Sequence, residues 1–361
     1  MSDDVASTNP NSNSNPNFRT PVNSGLPVKS KKWLLKLIMA VLAVLFTVNL
    51  VLMWLWSREP KSFETAEVTA QYAPAGRGPV TGVAVVATLM RLNEGQLSKS
   101  GGYISNDIAP PGVFLDNISN FEFGVLQQLR DLASALRNDF SRSQSQSVAD
   151  KNLENAQPLL MYPNDRWIVP TTEGKYREAN AELNAYIVRL TDPNQPSAQF
   201  YARADNLEAY LRLVEKQLGS LSQRLSASVT HTRHDTDLAN DPNATQSTPG
   251  PATSGEPMFV QTPWRKIDDN FYEARGASYA LIHILKAIEV DFKPILDSKN
   301  AKVSVQQIIA ELEQTQAPIW SPMILNGGGF GFFPNHSLVM ANYVSRASAQ
   351  IANLRALLAR G

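Results

Sequence analysis

The sequence predicts an all-α protein, a single N-terminal transmembrane helix followed by an extracytoplasmic helical bundle. Three observations carry that fold class. The 21 residues from Leu37 to Ser57 contain no ionisable side chain. Beyond them, apolar residues recur at steps of three and four, the helical period. The stretch "THTRHDTDLANDPNATQSTPGPATSGEPMFVQTP" from Thr230 to Pro263 has no period at all and separates two helical segments.

The N-terminal elements come first. Residues 1–32 are rich in Asn, Ser and Pro and almost lack large apolar side chains, so they cannot offset the entropy of folding and read as a disordered cytoplasmic tail. A tail of that kind is no output domain for a receptor. Residues 33–57 form the anchor, whose apolar run spans roughly 31 Å at ~1.5 Å per residue, the thickness of a bilayer's hydrocarbon core. Lys29, Lys31, Lys32 and Lys36 crowd its N-terminal side, while only Arg58 and Lys61 follow, beside Glu59. Trp33, Trp54 and Trp56 fall near the two interfaces. The positive-inside rule therefore places the N-terminus in the cytoplasm and the bulk of the chain in the periplasm. A cleaved signal peptide fits less well, because the run is too long and a polar stretch of about 30 residues precedes it. Thr47 and Asn49 satisfy local backbone groups or bond to a second membrane helix.

Residues 58–229 form the first helical segment. "VTGVAVVATLM" from Val80 is apolar at too many positions to show a period and is assigned to helix. Phe121, Val125, Leu129, Leu132, Leu136 and Phe140 make one amphipathic face, and Ala179, Leu183, Ile187 and Leu190 make another, stopped by "TDPNQP". The longest seam is Leu207, Leu211, Val214, Leu218, Leu221 and Leu225, whose alternating steps of four and three predict an antiparallel bundle partner. Residues 230–263 are an exposed loop or linker. Residues 264–361 form the second helical segment, packed with the first. Within it "FYEARGASYALIHILKAIEV" is apolar on most faces and belongs at the centre. Ser304 and Gln307 suggest a capping box, with Val303 and Ile308 as its hydrophobic staple. Val344, Ala347, Ile351, Leu354 and Leu358 form the final seam.

Composition limits the function. The 361 residues carry 33 basic and 33 acidic side chains, so nothing recommends a nucleic-acid or other polyanion partner. With no cysteine there is no disulfide, thiol nucleophile or thiolate metal site. His231 and His234 form an H-x-x-H without the glutamate of a metalloprotease helix, and they read as a solvated loop pair. His283 lies in an apolar helix and reads as a hydrogen-bonded core residue. Asp116, Glu122, Asp131 and Asp139, with Arg130, Arg137 and Arg142 nearby, read as a polar face with ordinary ion pairs.

"NGGGFGFFPNHSLVMANY" from Asn326 meets neither register of a G-x-G-x-x-G fingerprint, whose last glycine would fall on Phe332 or Pro334. No lysine follows Lys302, so a phosphate loop is excluded as well. The stretch reads as a glycine-rich turn into the final helix, with Asn335 or Ser337 as its cap and the phenylalanines packed on the bundle end. Arg137, Asp139, Arg142, Trp320, Phe330 and His336 are the candidate ligand-binding residues. No catalytic residue, metal ligand or cofactor site is identified.

"PPGVFLDNISNFEFGVLQQLRDLASALRNDFSRSQSQS", "AQFYARADNLEAYLRLVEKQLGSLSQRLSAS" and "PNHSLVMANYVSRASAQIANLRALL" resemble the bacterial family called domain of unknown function 2333. The resemblance covers most of the chain after the anchor and leaves out the N-terminal tail. It implies a Gram-negative inner-membrane protein with one N-terminal span, and it supplies no activity and no catalytic residues. The expected partners are the lipid bilayer, through residues 37–57, and an envelope protein. Two functions remain: a non-enzymatic scaffold or regulator of a cell-envelope complex, or a ligand-binding or hydrolytic domain acting on a lipid or peptidoglycan fragment.

Overall fold

The computed structural model describes residues 28–72, 80–143, 148–192, 198–229, 231–233, 258–321, 323–328 and 331–360. Most of the predicted tail, most of the 230–263 segment, His234 and Phe330 lie outside them. The chain divides into two compact units, Met1–Val48 and Asn49–Gly361.

In the first unit the described residues are helical, the opening part of α1 (Val28–Trp56). Its large apolar side chains, among them Trp33, Met39 and Phe46, are exposed. Lys32–Trp56 is long and apolar enough to cross a membrane. Thr47 donates its hydroxyl to the Ala43 carbonyl at 2.9 Å, the local satisfaction expected of a hydroxyl in an apolar helix.

The second unit is a helical bundle. Its elements are α2 (Thr65–Ala70), α3 (Val83–Ser98), α4 (Asp116–Ala135), α5 (Lys151–Leu160), α6 (Thr172–Thr191), α7 (Ala204–Ser226), α8 (Ile267–Asp291), α9 (Lys293–Ser298), α10 (Lys302–Gln314) and α11 (His336–Ala359). α4 continues into a π-helical turn, Leu136–Phe140. The 230–263 segment, expected to be an exposed loop or linker, instead pairs near its two ends in a short antiparallel ribbon, β1 (His231–Arg233) with β2 (Met258–Val260).

α8 is the central helix, with every residue from Ala274 to Leu285 buried. It packs against α3, α4, α7, α10 and α11, so helices from both sides of the 230–263 segment interleave in one core. α4 and α8 run parallel, with Asn120 bonded to Asp269 at one end and Phe140 against Phe292 at the other. Two glycines let them touch. A Cβ on Gly124 would lie 2.0 Å from the Glu273 carbonyl oxygen, and one on Gly276 would lie 2.0 Å from that of Phe121.

α7 and α11 fulfil the seam prediction. All the seam residues named above on both helices are at most 3% exposed. Arg355 pairs with Glu208, Ser348 donates to the Glu215 carbonyl, and Ser222 donates to the Ala341 carbonyl. Each seven-residue advance along α7 (208, 215, 222) is matched by seven residues back along α11 (355, 348, 341), an antiparallel heptad register.

Two local expectations need correction. The Ser304 capping box does not form, because α10 begins earlier, at Lys302, and Val303 is 74% exposed. Asn300, at φ 54°, closes α9 instead, with Ala301 N–H bonded to the Leu296 carbonyl and Asn300 N–H to that of Asp297. That left-handed turn leads straight into α10.

The acidic residues of α4 do not form one solvated face either. Glu122 is fully buried and pairs with buried Lys99 at 2.9 Å rather than with an arginine. It also accepts from Ile104 N–H, Ser105 N–H and the Ser105 hydroxyl, closing the Lys99–Ser105 turn that carries Gly101 and Gly102 at positive φ. Burial still raises its pKa despite Lys99. Arg130, for its part, donates to the Leu160 and Tyr162 carbonyls.

α3 (Val83–Ser98) forms where the Val80 stretch is assigned to helix, and its cap comes from far along the chain. Its N-terminal Gly82 offers no side chain, and Asp291 accepts from Val85 N–H at 2.8 Å. Burial pushes the Asp291 pKa up to about 6, against the backbone N–H groups of Val85, Gly82 and Ala84.

Asp131 yields a pH prediction. Burial alone raises its pKa from 3.8 to about 6. A carboxyl raised on folding adds stability that is complete below about pH 3.8 and is lost as the pH rises through about 6. Above that window the ionised group is a liability. Asp131→Asn should therefore stabilise the protein at neutral pH by about 1–2 kcal/mol, allowing for partial exposure. It should also make the melting temperature fall less between pH 4 and 6, where Asp291 contributes a slope of the same sign as Asp131 and His283, its pKa dropped to about 4, one of the opposite sign. A variant that melts below the parent at neutral pH would contradict this.

Candidate functional site

The end of the bundle where α8 and α11 begin holds two of the candidate residues and is organised by Arg275. This arginine is 6% exposed. It donates to the carbonyls of Thr315 and Ala317 at 2.9 Å and of Gln316 at 3.2 Å, satisfying the backbone just beyond α10. Its Nε donates to Glu59 at 2.6 Å.

The same face of α8 continues at four-residue steps. The Tyr279 hydroxyl donates to the Lys61 carbonyl at 2.9 Å. His283 Nε2 meets Ser62 Oγ at 3.3 Å, and its ring stacks on Phe63 at 4.0 Å with a 5° tilt. Residues 59–63, the first after α1, are thus strapped to the central helix. Burial drops the His283 pKa to about 4, so the ring is neutral at physiological pH, in keeping with a core residue.

The connection from α10 to α11 is built on a latch. Leu325 N–H donates to His336 Nδ1 at 3.1 Å, and His336 N–H donates to the Leu325 carbonyl at 2.8 Å. Asn335 caps α11 through Leu338 N–H at 2.9 Å and donates to the Gly327 carbonyl at 2.7 Å. Ser337 bonds to Asn326 at 2.7 Å. With Nδ1 accepting, the His336 proton sits on Nε2. Ile319 and Ile324 pack inward on the core.

The aromatic residues of this connection do not pack on the bundle end, contrary to the sequence expectation. Phe332 is 97% exposed, Phe333 64%, Met323 65% and Trp320 93%. The reason lies in the latch: pairing Leu325–Gly327 with Pro334–His336 makes a narrow stem that holds Phe332 and Phe333 away from the core, with their rings 5.6 Å apart.

A groove of about 290 Å³ lies behind the stem, lined by Phe271, Arg275, Trp320, His336, Met340 and Tyr343 among others. A second, wider depression of about 630 Å³ has Asp116, Asn120, Trp264, Asp269 and Met323 in its wall. Arg275 is committed to Glu59 and three carbonyls. The rest of the lining is mostly apolar and aromatic, with Gln314, Thr315, Ser321 and His336 as its further polar residues.

The remaining candidates lie elsewhere. Arg137 stands sixteen residues beyond Phe121 along α4 and its π turn, ~24 Å down the axis at ~1.5 Å per residue. It bonds to Gln157 at 2.5 Å and approaches Glu154 at 3.6 Å. Asp139 is half-buried, its pKa raised by burial against the nearby Arg142. The structure thus brings Trp320 and His336 together and keeps Arg137, Asp139 and Arg142 apart from them. Phe330 lies outside the described residues. Among the described residues, no group of three or more His, Asp or Glu is placed to hold a metal.

Sequence reasoning missed Arg275, Phe271 and Tyr343. The signal for Arg275 was present: a lone cation in the apolar run "ARGASYALIHIL", beside a glycine. A charge there must be matched by partners inside the protein.

Comparison with curated proteins and with solved structures returns no match. Residues 28–361 match the family described as an uncharacterized protein conserved in bacteria, domain of unknown function 2333, and the chain belongs to that family.

Proposed function

We propose that the protein is a single-span inner-membrane protein whose helical bundle lies in the periplasm and acts as a non-enzymatic scaffold or regulator of a cell-envelope complex. The observation that carries this reading is the strap. Arg275, Tyr279 and His283 hold Glu59 to Phe63 against the central helix, so the bundle starts at once where the apolar helix ends, with no slack linker. A domain held in that way works at the membrane surface. Three of the perturbed ionisable groups have structural duties, with Asp291 capping α3, Glu122 closing a turn and His283 stacked in the core. The groove beside Trp320 and His336 supports a second reading, a site for an envelope lipid or peptidoglycan fragment.

One set of fusions and crosslinks tests both parts. Alkaline phosphatase joined after Gly361 should be active, and a fluorescent protein that matures only in the cytoplasm should stay dark. The reverse pair overturns the topology. A photoactivatable residue in place of Tyr343, in the groove, should give a discrete protein adduct in living cells that is absent when the same residue replaces Val188. Adducts to lipid or glycan alone would favour the second reading.

A further inference from the structure

We propose that the exposed apolar side chains of the α10–α11 connection, Trp320 and Met323 before the stem and Phe332 and Phe333 at its tip, dock onto the surface of the bilayer that the chain's own anchor spans, giving the bundle a second membrane contact. The inference rests on the reading of Lys32–Trp56 as a membrane span. It goes beyond that reading by assigning a lipid-facing role to a loop about 265 residues away in sequence, counting from Trp56 to Trp320.

The first argument is the chemistry of the surface. Four large apolar side chains, 64–97% exposed, stand on one short connection, and Trp264, 82% exposed, stands beside Met323 in the wall of the wider depression. A cluster of that size costs solubility unless something covers it. Its composition of Trp, Phe and Met, with exposed Arg265 next to Trp264, suits the headgroup layer, where aromatic bodies bury and cations stay wet.

The second argument is reach, and it selects the occupant. Glu59 stands three residues past Trp56, the end of α1, so the two are at most ~10 Å apart along the chain. Arg275 joins Glu59 directly to the Thr315–Ala317 carbonyls. Trp320 follows Ala317 by three residues, again at most ~10 Å. Trp56 itself packs on the core and over Gly101, so the bundle begins at the level where the apolar helix stops. Trp320, which leads into the stem, is thus tied to the end of α1 through the ion pair of buried Arg275 with half-buried Glu59, and the surface nearest that end is the bilayer's own headgroup layer.

Because the chain has no cysteine, a single introduced cysteine gives a unique labelling site in the full-length protein. Trp320→Cys and Phe332→Cys would carry an environment-sensitive fluorophore in vesicles of phosphatidylethanolamine and phosphatidylglycerol. Val44→Cys in the apolar helix and Val188→Cys on α6, both exposed, serve as references. At positions 320 and 332, lipids brominated near the headgroup should quench about twofold or more strongly than at 188, and aqueous iodide should quench less. Iodide quenching equal to that at 188 would show the connection bare in water and overturn the proposal. Protection from both quenchers would show a protein cover, a second copy or another chain, and overturn it too. Val44, at the middle of the span, is read with lipids brominated deep in the acyl chains and separates the two ideas: quenching there, without headgroup-bromine quenching at 320 and 332, sinks the docking and leaves the span standing, while its absence at Val44 sinks both.

Discussion

Gly276→Ala should unfold the bundle far more easily than an alanine in a helix normally would. Alanine is the better helix former by about 1 kcal/mol, so an isolated helix would gain from the change. Here the new methyl would sit 2.0 Å from the Phe121 carbonyl oxygen, a backbone atom that cannot rotate away. α4 and α8 must separate, and every side chain between them loses contact. A net cost of about 2–4 kcal/mol is expected, toward the upper end of overpacking penalties. Gly124→Ala, pressing on the Glu273 carbonyl from the other helix, should behave alike. Gly219, on α7 with open space around it, is the control, and alanine there should be neutral or stabilising. Equal melting temperatures for Gly276→Ala and Gly219→Ala would refute the close-contact account.

The second large effect is expected at Glu122. Glu122→Ala strands Lys99, whose side chain is 4% exposed, and leaves Ile104 N–H and Ser105 N–H without their acceptor. Breaking one side of a buried pair costs about 3–5 kcal/mol, most of it the burden of the charge left behind. Lys99→Met together with Glu122→Ala should therefore be less damaging than Glu122→Ala alone, the signature of a direct coupling in a double-mutant cycle. Denaturant melts of the two single variants and the double variant decide this, and strictly additive losses would show that the two groups do not act as a pair.

The parts of the fold written in local periodicity were legible. The α7 and α11 seams and the all-round apolar character of α8 were in the sequence because heptad spacing and burial on every face are properties of a few consecutive turns. Features that join distant positions were not. The cap on α3 comes from Asp291, 206 residues beyond Val85, and nothing near "TGVAVV" announces it. The start of α10 was misplaced because Ser304 offers a plausible cap, while the actual boundary is set by the left-handed Asn300 and by buried Ala301. α5 was missed, since Pro158 interrupts its pattern and its buried residues number only Leu153, Ala156 and Leu160.

At the candidate site, Trp320 and His336 were legible as an aromatic and a histidine in a glycine-rich neighbourhood. Their separation from Arg137 was not, because distance along a helix axis depends on which helices stand side by side. The exposure of Phe332 and Phe333 was misjudged for a related reason. Apolar character predicts burial on average, and the stem that holds these two rings in the open is made by backbone pairing and an imidazole nitrogen, which hydropathy does not register.

The parallel contact of α4 with α8 also sets an order of events during biogenesis. Phe121 and Gly276 are 155 residues apart, so at ~5–20 residues per second the ribosome completes α4 on the order of 10–30 s before its partner helix exists. For that interval α4 has α3, and later α5 and α7, beside it but lacks its most extensive partner. A product truncated before Ile267 would keep the α8-facing side of α4 uncovered, an exposed apolar surface of the kind that drives aggregation.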